Sequence, residues 1–206
     1  MLARKIAEGL AYCHEQGVVH RDVKPDNILI MNEDQPAILD FGLALTPTRP
    51  GPGKAAGTPG YVAPEQIEGQ RGDKRIDVYA LGATFYDMLA GEPPFIGQDP
   101  WDVMSKHLTE AVPRLDKVRP DVSLELATVV AKCLQRDPNQ RYSDMNAFLN
   151  DLEHLNGVDT QALDTLTAAP PKPPFFKTQI GQVILLLTAT LIGMALVTLV
   201  AVALKH

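Results

Sequence analysis

His20-Arg21-Asp22-Val23-Lys24-Pro25-Asp26-Asn27, followed at a short distance by Asp40-Phe41-Gly42, is the stretch that decides how this chain folds. Asp22 offers a carboxylate that accepts a hydroxyl proton or hydrogen bond. Lys24, two residues on, brings an ammonium to the same edge of the loop. Asn27 supplies a neutral carbonyl oxygen and Asp40 a carboxylate, both hard ligands suited to Mg²⁺. Between them lie two apolar runs, 28–31 and 37–39, around the polar stretch Asn32-Glu33-Asp34-Gln35. That pattern predicts a short β-hairpin. Antiparallel pairing would bring its open ends together, so Asn27 and Asp40 would hold one metal between them.

The ordered set resembles the catalytic loop and metal-binding motif of protein kinases, in both order and spacing. The chain as a whole resembles the large lobe of a bacterial membrane-anchored, eukaryotic-like serine/threonine protein kinase. The resemblance implies ATP-dependent phosphoryl transfer to Ser or Thr hydroxyls of a protein substrate, with ATP and Mg²⁺ as cofactors and Mn²⁺ as an alternative ion. It makes Asp22 the catalytic base, with Lys24 beside the transferred phosphate, Asn27 and Asp40 as metal ligands, and Leu29 beneath the adenine. Lys24 followed by Pro25 in this loop resembles the serine/threonine class.

The resemblance continues downstream. Gly57-Thr58-Pro59-Gly60-Tyr61-Val62-Ala63-Pro64-Glu65 is similar to the end of an activation segment, where a peptide substrate docks. On that likeness Thr58 bonds near Asp22 and Lys24, and Glu65 forms a buried ion pair with Arg141. Asp77 braces the backbone of the catalytic loop, while His20, Arg21, Phe41 and Gly42 support the site without reacting. Between Gly42 and Gly57 the density of proline and glycine opposes regular structure. Thr46 and Thr48 are the hydroxyl residues of that segment and its candidate phosphorylation sites. A phosphate there would pair with Arg21.

Periodicity sets the rest of the domain. Leu2, Ile6, Leu10 and Cys13 recur at helical spacing and predict an opening amphipathic helix closed by Gly17. The strongly apolar run 76–89 predicts a buried central helix stopped by Gly91-Glu92-Pro93-Pro94. Further helices are expected over 101–110, 124–134 and 145–155. The fold expectation is mainly α: a kinase large lobe, a helical bundle with one small hairpin, occupying residues 1–155. Cys13 and Cys133 sit at apolar helical positions and read as reduced, buried thiols. A formal charge of −6 without a basic stripe argues against a nucleic-acid partner.

After Leu155 the composition changes. Residues 156–179 read as a proline-rich juxtamembrane linker. Residues 180–204 contain no charged side chain, and as a helix would span about 37 Å, so a transmembrane helix is expected there, followed by a short tail at 205–206. Lysines before the span favour a single-pass membrane protein with its kinase region in the cytoplasm. The resemblance covers the large lobe alone, with no glycine-rich loop or paired strand lysine, so a missing small lobe or upstream segment is a further expected partner. Little activity is then expected of this chain by itself. A membrane-anchored, non-catalytic, kinase-like binding protein is the alternative. Neither the substrate protein nor the activating signal is legible.

Overall fold

The computed structural model describes residues 2–31, 35–41 and 57–170. The first helix, α1 (Leu2–Glu15), buries Ile6, Ala7, Leu10 and Ala11, a stripe one face wide. Gly17 ends it in the left-handed region at φ 72°, which an L side chain adopts only at a cost. The reversal is fixed by bonds from the Gly17 amide to the His14 carbonyl (3.0 Å) and from Val18 to Cys13 (2.9 Å). The chain then enters the loop that carries Asp22, which finishes in a single 3-10 turn at Pro25–Asn27.

Strands β1 (Ile28–Met31) and β2 (Gln35–Ile38) form an antiparallel pair with Ile28 opposite Ile38 and Met31 opposite Gln35. The ladder reaches one step further, where the Leu39 amide bonds the Asn27 carbonyl at 2.8 Å. β2 packs on α1, and Ile38 Cδ1 comes so close to Gly9 that a Cβ there would stand 3.3 Å from it.

A short helix, α2 (Pro64–Ile67), precedes the central α3 (Arg75–Ala90). Every residue of α3 from Ile76 to Tyr86 is buried, so this helix has no solvent face over three turns. It ends at Gly91, whose φ of 90° again calls for glycine. Helix α4 (Pro100–Thr109) starts under a strong signal: Pro100 at its first position and an Asp99 carboxylate accepting from the Trp101 and Asp102 amides. A single turn, α5 (Leu115–Val118), leads to α6 (Leu124–Cys133), capped by Ser123, and α7 (Met145–Glu153), capped by Asp144.

The core lies where α3 meets α1, α6 and α7, around Leu10, Tyr79, Leu81, Leu134, Met145 and Phe148. Each large side chain buried there contributes about 1.5–3 kcal/mol. Helices α3 and α6 approach so closely that a Cβ on Gly82 would sit 2.4 Å from the Cβ of Cys133.

Two features differ from the sequence expectation. The folded unit does not stop at Leu155. It runs to Ala169, and α8 (Leu163–Leu166) buries Leu163 against the core, with Leu155, Val158 and Leu166 packed beside it. Of the second unit, Pro170–His206, only Pro170 is described.

The membrane expectation is corrected. Residues 180–204 lie outside the described residues, and among the described residues no helix is long and apolar enough to cross a membrane. The most apolar long helix, α3, has 16 residues. It would span about 24 Å against the roughly 30 Å of a hydrocarbon core, and its apolarity is spent inside the domain. Neither a transmembrane helix in the fold nor a single-pass membrane localisation is supported.

Candidate active site

The loop that carries Asp22 is held from beneath by α3. Asp77, fully buried, accepts the His20 amide on Oδ2 (2.8 Å) and the Arg21 amide on Oδ1 (2.7 Å), and His14 Nε2 stands 2.8 Å from Oδ2. These charge-assisted bonds sustain a backbone that local preference opposes, since Arg21 has φ 72° without being glycine. From the other side Gln66 Nε2 donates to the Arg21 carbonyl at 3.1 Å. His20 links this loop to the strand beyond. Its Nε2 lies 2.9 Å from the Leu39 carbonyl, which only accepts, so Nε2 carries the proton. Nδ1 is then free to accept the Asp22 amide (3.3 Å), and the ring meets Phe41 edge-on at 4.7 Å.

Asp22 stands at the centre. Its Oδ1 accepts the amide and the hydroxyl of Thr58, at 3.0 and 2.9 Å. Its Oδ2 accepts Lys24 Nζ (2.9 Å) and Asn27 Nδ2 (3.2 Å). Lys24 Nζ also donates to Thr58 Oγ1 at 2.7 Å, so the Thr58 hydroxyl accepts from the lysine and donates to the aspartate. Burial pushes the Asp22 carboxyl up, but the bonds and charge from Lys24 and Thr58 outweigh it, and its pKa lies below the ordinary carboxylate value. Asp22 is therefore ionised at neutral pH. A base that weak removes a proton poorly from a resting hydroxyl and serves chiefly to orient it.

Asn27 is buried and spends Nδ2 on the Asp22 carbonyl (2.8 Å) and carboxylate. That orientation turns its Oδ1, the oxygen a cation would take, away from Asp22. The Leu39–Asn27 bond closes the hairpin, so Asp40 stands one residue past the rung that holds Asn27. Asp40 is exposed, with φ 59°. No group of three or more His, Cys, Asp or Glu side chains able to hold a metal occurs among the described residues. Two hard oxygens at the end of a hairpin still suit Mg²⁺, which retains waters and takes substrate phosphate oxygens for its other positions.

Leu29 is half-exposed on β1, opposite Ala37. Gly42, Thr46 and Thr48 lie outside the described residues. Arg21 Nε is buried without a hydrogen-bond partner among the described residues. Glu65 and Arg141 form a bidentate pair with both bonds at 2.7 Å. Arg141 further donates to the carbonyls of Gln135 (2.6 Å), Arg75 (3.0 Å) and Arg136 (3.0 Å), and its guanidinium lies 4.8 Å above the Tyr79 ring.

Sequence reasoning missed several groups that position this site. Gln66 accepts the Ala63 amide on Oε1 while holding Arg21, and Tyr61 Oη donates to Asp87 Oδ2 at 2.6 Å. His14, on Asp77, belongs with them. Each is a single polar residue whose partner lies far along the chain.

A partly buried aspartate with a lysine beside it, an amide–carboxylate pair at a hairpin mouth and a loop braced from α3 are the arrangement expected of the large lobe of a protein kinase. A family profile described as Protein kinase domain matches residues 1–152, and the chain belongs to that family. Its relatives are bacterial serine/threonine kinases. It is 36% identical to serine/threonine-protein kinase PknF of Mycobacterium tuberculosis, over 98% of this chain and 44% of that protein. It is 38% identical to PknB of Mycolicibacterium smegmatis (80% of this chain, 28% of that protein). It is 41% identical to PkaB of Streptomyces coelicolor (81% of this chain, 42% of that protein). The chain thus spans less than half the length of these relatives.

Proposed function

We propose that the protein is a serine/threonine protein kinase that moves the terminal phosphoryl group of ATP to a Ser or Thr hydroxyl of another protein. The observation that carries this reading is the closed cluster of Asp22, Lys24, Asn27 and Thr58, whose bonds run between 2.7 and 3.2 Å. Asp22 orients the incoming hydroxyl and accepts its proton as the new P–O bond forms. Lys24 places positive charge beside the transferred group, and Thr58 holds both side chains in register. Asn27 Oδ1 and Asp40 would hold Mg²⁺, which neutralises charge on the nucleotide phosphates when bound. A phosphate on Thr46 or Thr48 would meet the Arg21 guanidinium. Leu29 is the surface offered to the base of the nucleotide.

The test is phosphorylation of a generic protein acceptor by the full-length gene product and its Asp22→Asn variant. The substitution keeps the shape and removes the charge that orients the hydroxyl, so transfer should fall by about a hundredfold or more. Near-normal transfer by the variant would sink the assignment.

A further inference from the structure

Gln66 lies on α2 with 1% of its surface exposed, and its amide group bonds two segments at once. Oε1 accepts the Ala63 amide at 3.1 Å, and Nε2 donates to the Arg21 carbonyl, 45 positions away, at 3.1 Å. A backbone amide only donates and a carbonyl only accepts, so the flipped orientation would serve neither end. The first bond is an ordinary helix cap and needs Oε1 alone. The second does nothing for α2. Its partner belongs to the loop that carries Asp22.

The peptide between Arg21 and Asp22 is the plane through which the chain enters Asp22. Gln66 holds its carbonyl end, and His20 Nδ1 its amide end at 3.3 Å. Asp77 takes the amides of His20 and Arg21, so it fixes the plane before Arg21 rather than the one after. The two planes that flank a residue set its φ and ψ, and Arg21, at φ 72°, needs both held. The Arg21 carbonyl also lies against Gly57, where a Cβ would stand 3.6 Å from its oxygen. Gly57 precedes Thr58, whose amide and hydroxyl meet Asp22 Oδ1 at 3.0 and 2.9 Å. One segment, 57–66, therefore grips Asp22 twice, by its carboxylate through Thr58 and by its main chain through Gln66. We propose that Gln66 is a positioning residue that makes the pose of Asp22 conditional on the order of the substrate-side segment. When residues 57–65 are settled, Gln66 locks the peptide leading into Asp22; when they loosen, that hold on the left-handed Arg21 goes with them. This deepens the kinase reading and rests on it for the statement that Asp22 orients a hydroxyl.

The experiment is amide hydrogen exchange on the full 206-residue chain, followed in peptides covering residues 18–24 and α3. Gln66→Met keeps the length of the side chain and removes both bonds. It should speed exchange over residues 18–24 about tenfold while α3 is unchanged. Gln66→Glu, measured at pH 8, keeps the acceptor for Ala63 and offers the Arg21 carbonyl no donor once ionised. It should loosen residues 18–24 in the same direction, and it carries the comparison if Gln66→Met does not fold. Exchange over 18–24 as in the parent chain, or a rise shared equally by α3, overturns the proposal. In the full-length protein, Gln66→Met should lower kcat about tenfold and leave KM for ATP unchanged. Combined with Thr58→Val it should lower kcat by less than the product of the two single effects, because both residues act on the one position of Asp22. Full multiplication of the two effects also overturns it. Exchange does not depend on phosphoryl transfer, whereas failure of the kinase reading shows as transfer surviving Asp22→Asn.

Discussion

Cutting the ion pair between α2 and the loop after α6 should be among the most damaging single changes to this domain. Arg141 has no side-chain exposure and Glu65 has 6%, so water screens neither charge. The guanidinium makes five hydrogen bonds, two to Glu65 and one each to the carbonyls of Gln135, Arg75 and Arg136. Removing one member of a buried pair leaves an uncompensated charge, at a cost of about 3–5 kcal/mol. Arg141→Met strands the Glu65 carboxylate and three carbonyls together, which places it at the upper end, about 5 kcal/mol. Glu65→Gln leaves the cation its three carbonyls and retains one bond, which places it near the lower end, about 3 kcal/mol. The double variant removes both charges and should cost less than the sum by roughly 2–3 kcal/mol. For a domain of this size such losses lower the melting midpoint by about 6–20 °C. Urea unfolding followed by far-ultraviolet circular dichroism on all four proteins gives the cycle. A loss below about 1 kcal/mol for Arg141→Met, or strict additivity in the double variant, would refute the argument that burial makes this pair indispensable once built.

Two further outcomes follow from packing and protonation. Gly82→Ala gains about 1 kcal/mol of helix propensity but drives a Cβ to 2.4 Å from Cys133 Cβ, so a net loss of about 2 kcal/mol is expected in thermal melts. Cys133→Ala should not relieve it, because the offending atom remains, whereas Cys133→Gly should do so in part. His107 is neutral in the fold while the unfolded chain takes up a proton below pH 6.5, so its contribution is full above that pH and is lost as pH falls toward about 4. Through this residue stability should decline by about 3 kcal/mol across that window, and His107→Gln should flatten the decline in urea titrations at stepped pH.

The sequence carried the parts of the fold that local rules dictate. The spacing of Asn27 and Asp40 around two apolar runs announced the hairpin, and the observed register joins those ends. Residues 76–89 were legible as a central helix because no polar face interrupts them, and Gly17 and Gly91 marked ends that their positive φ values require. Tertiary polar contacts were another matter. Nothing adjacent to Gln66, Asp87 or His107 shows that each reaches a partner 26 to 45 positions away. Residues 156–169 looked like a linker because Val158, Leu163 and Leu166 are too sparse for a helical stripe, yet they cover an apolar face that α6 leaves open. Hydropathy at 180–204 suggested a spanning helix; that segment lies outside the described residues, and among the described residues no helix is long and apolar enough to cross a membrane.

The grip of Asp77 has a consequence for how such proteins diversify. It holds the amides of His20 and Arg21, groups that every residue except proline possesses, and takes no account of the side chains attached. Residue 21 can therefore change identity and leave Asp22 where it is, provided the newcomer tolerates a φ near 72°. On the proposed reading, the element that would sense a phosphate and the element that would orient a hydroxyl are neighbours in sequence but separable in inheritance. A lineage could then gain or discard such control at position 21 without moving the carboxylate beside it.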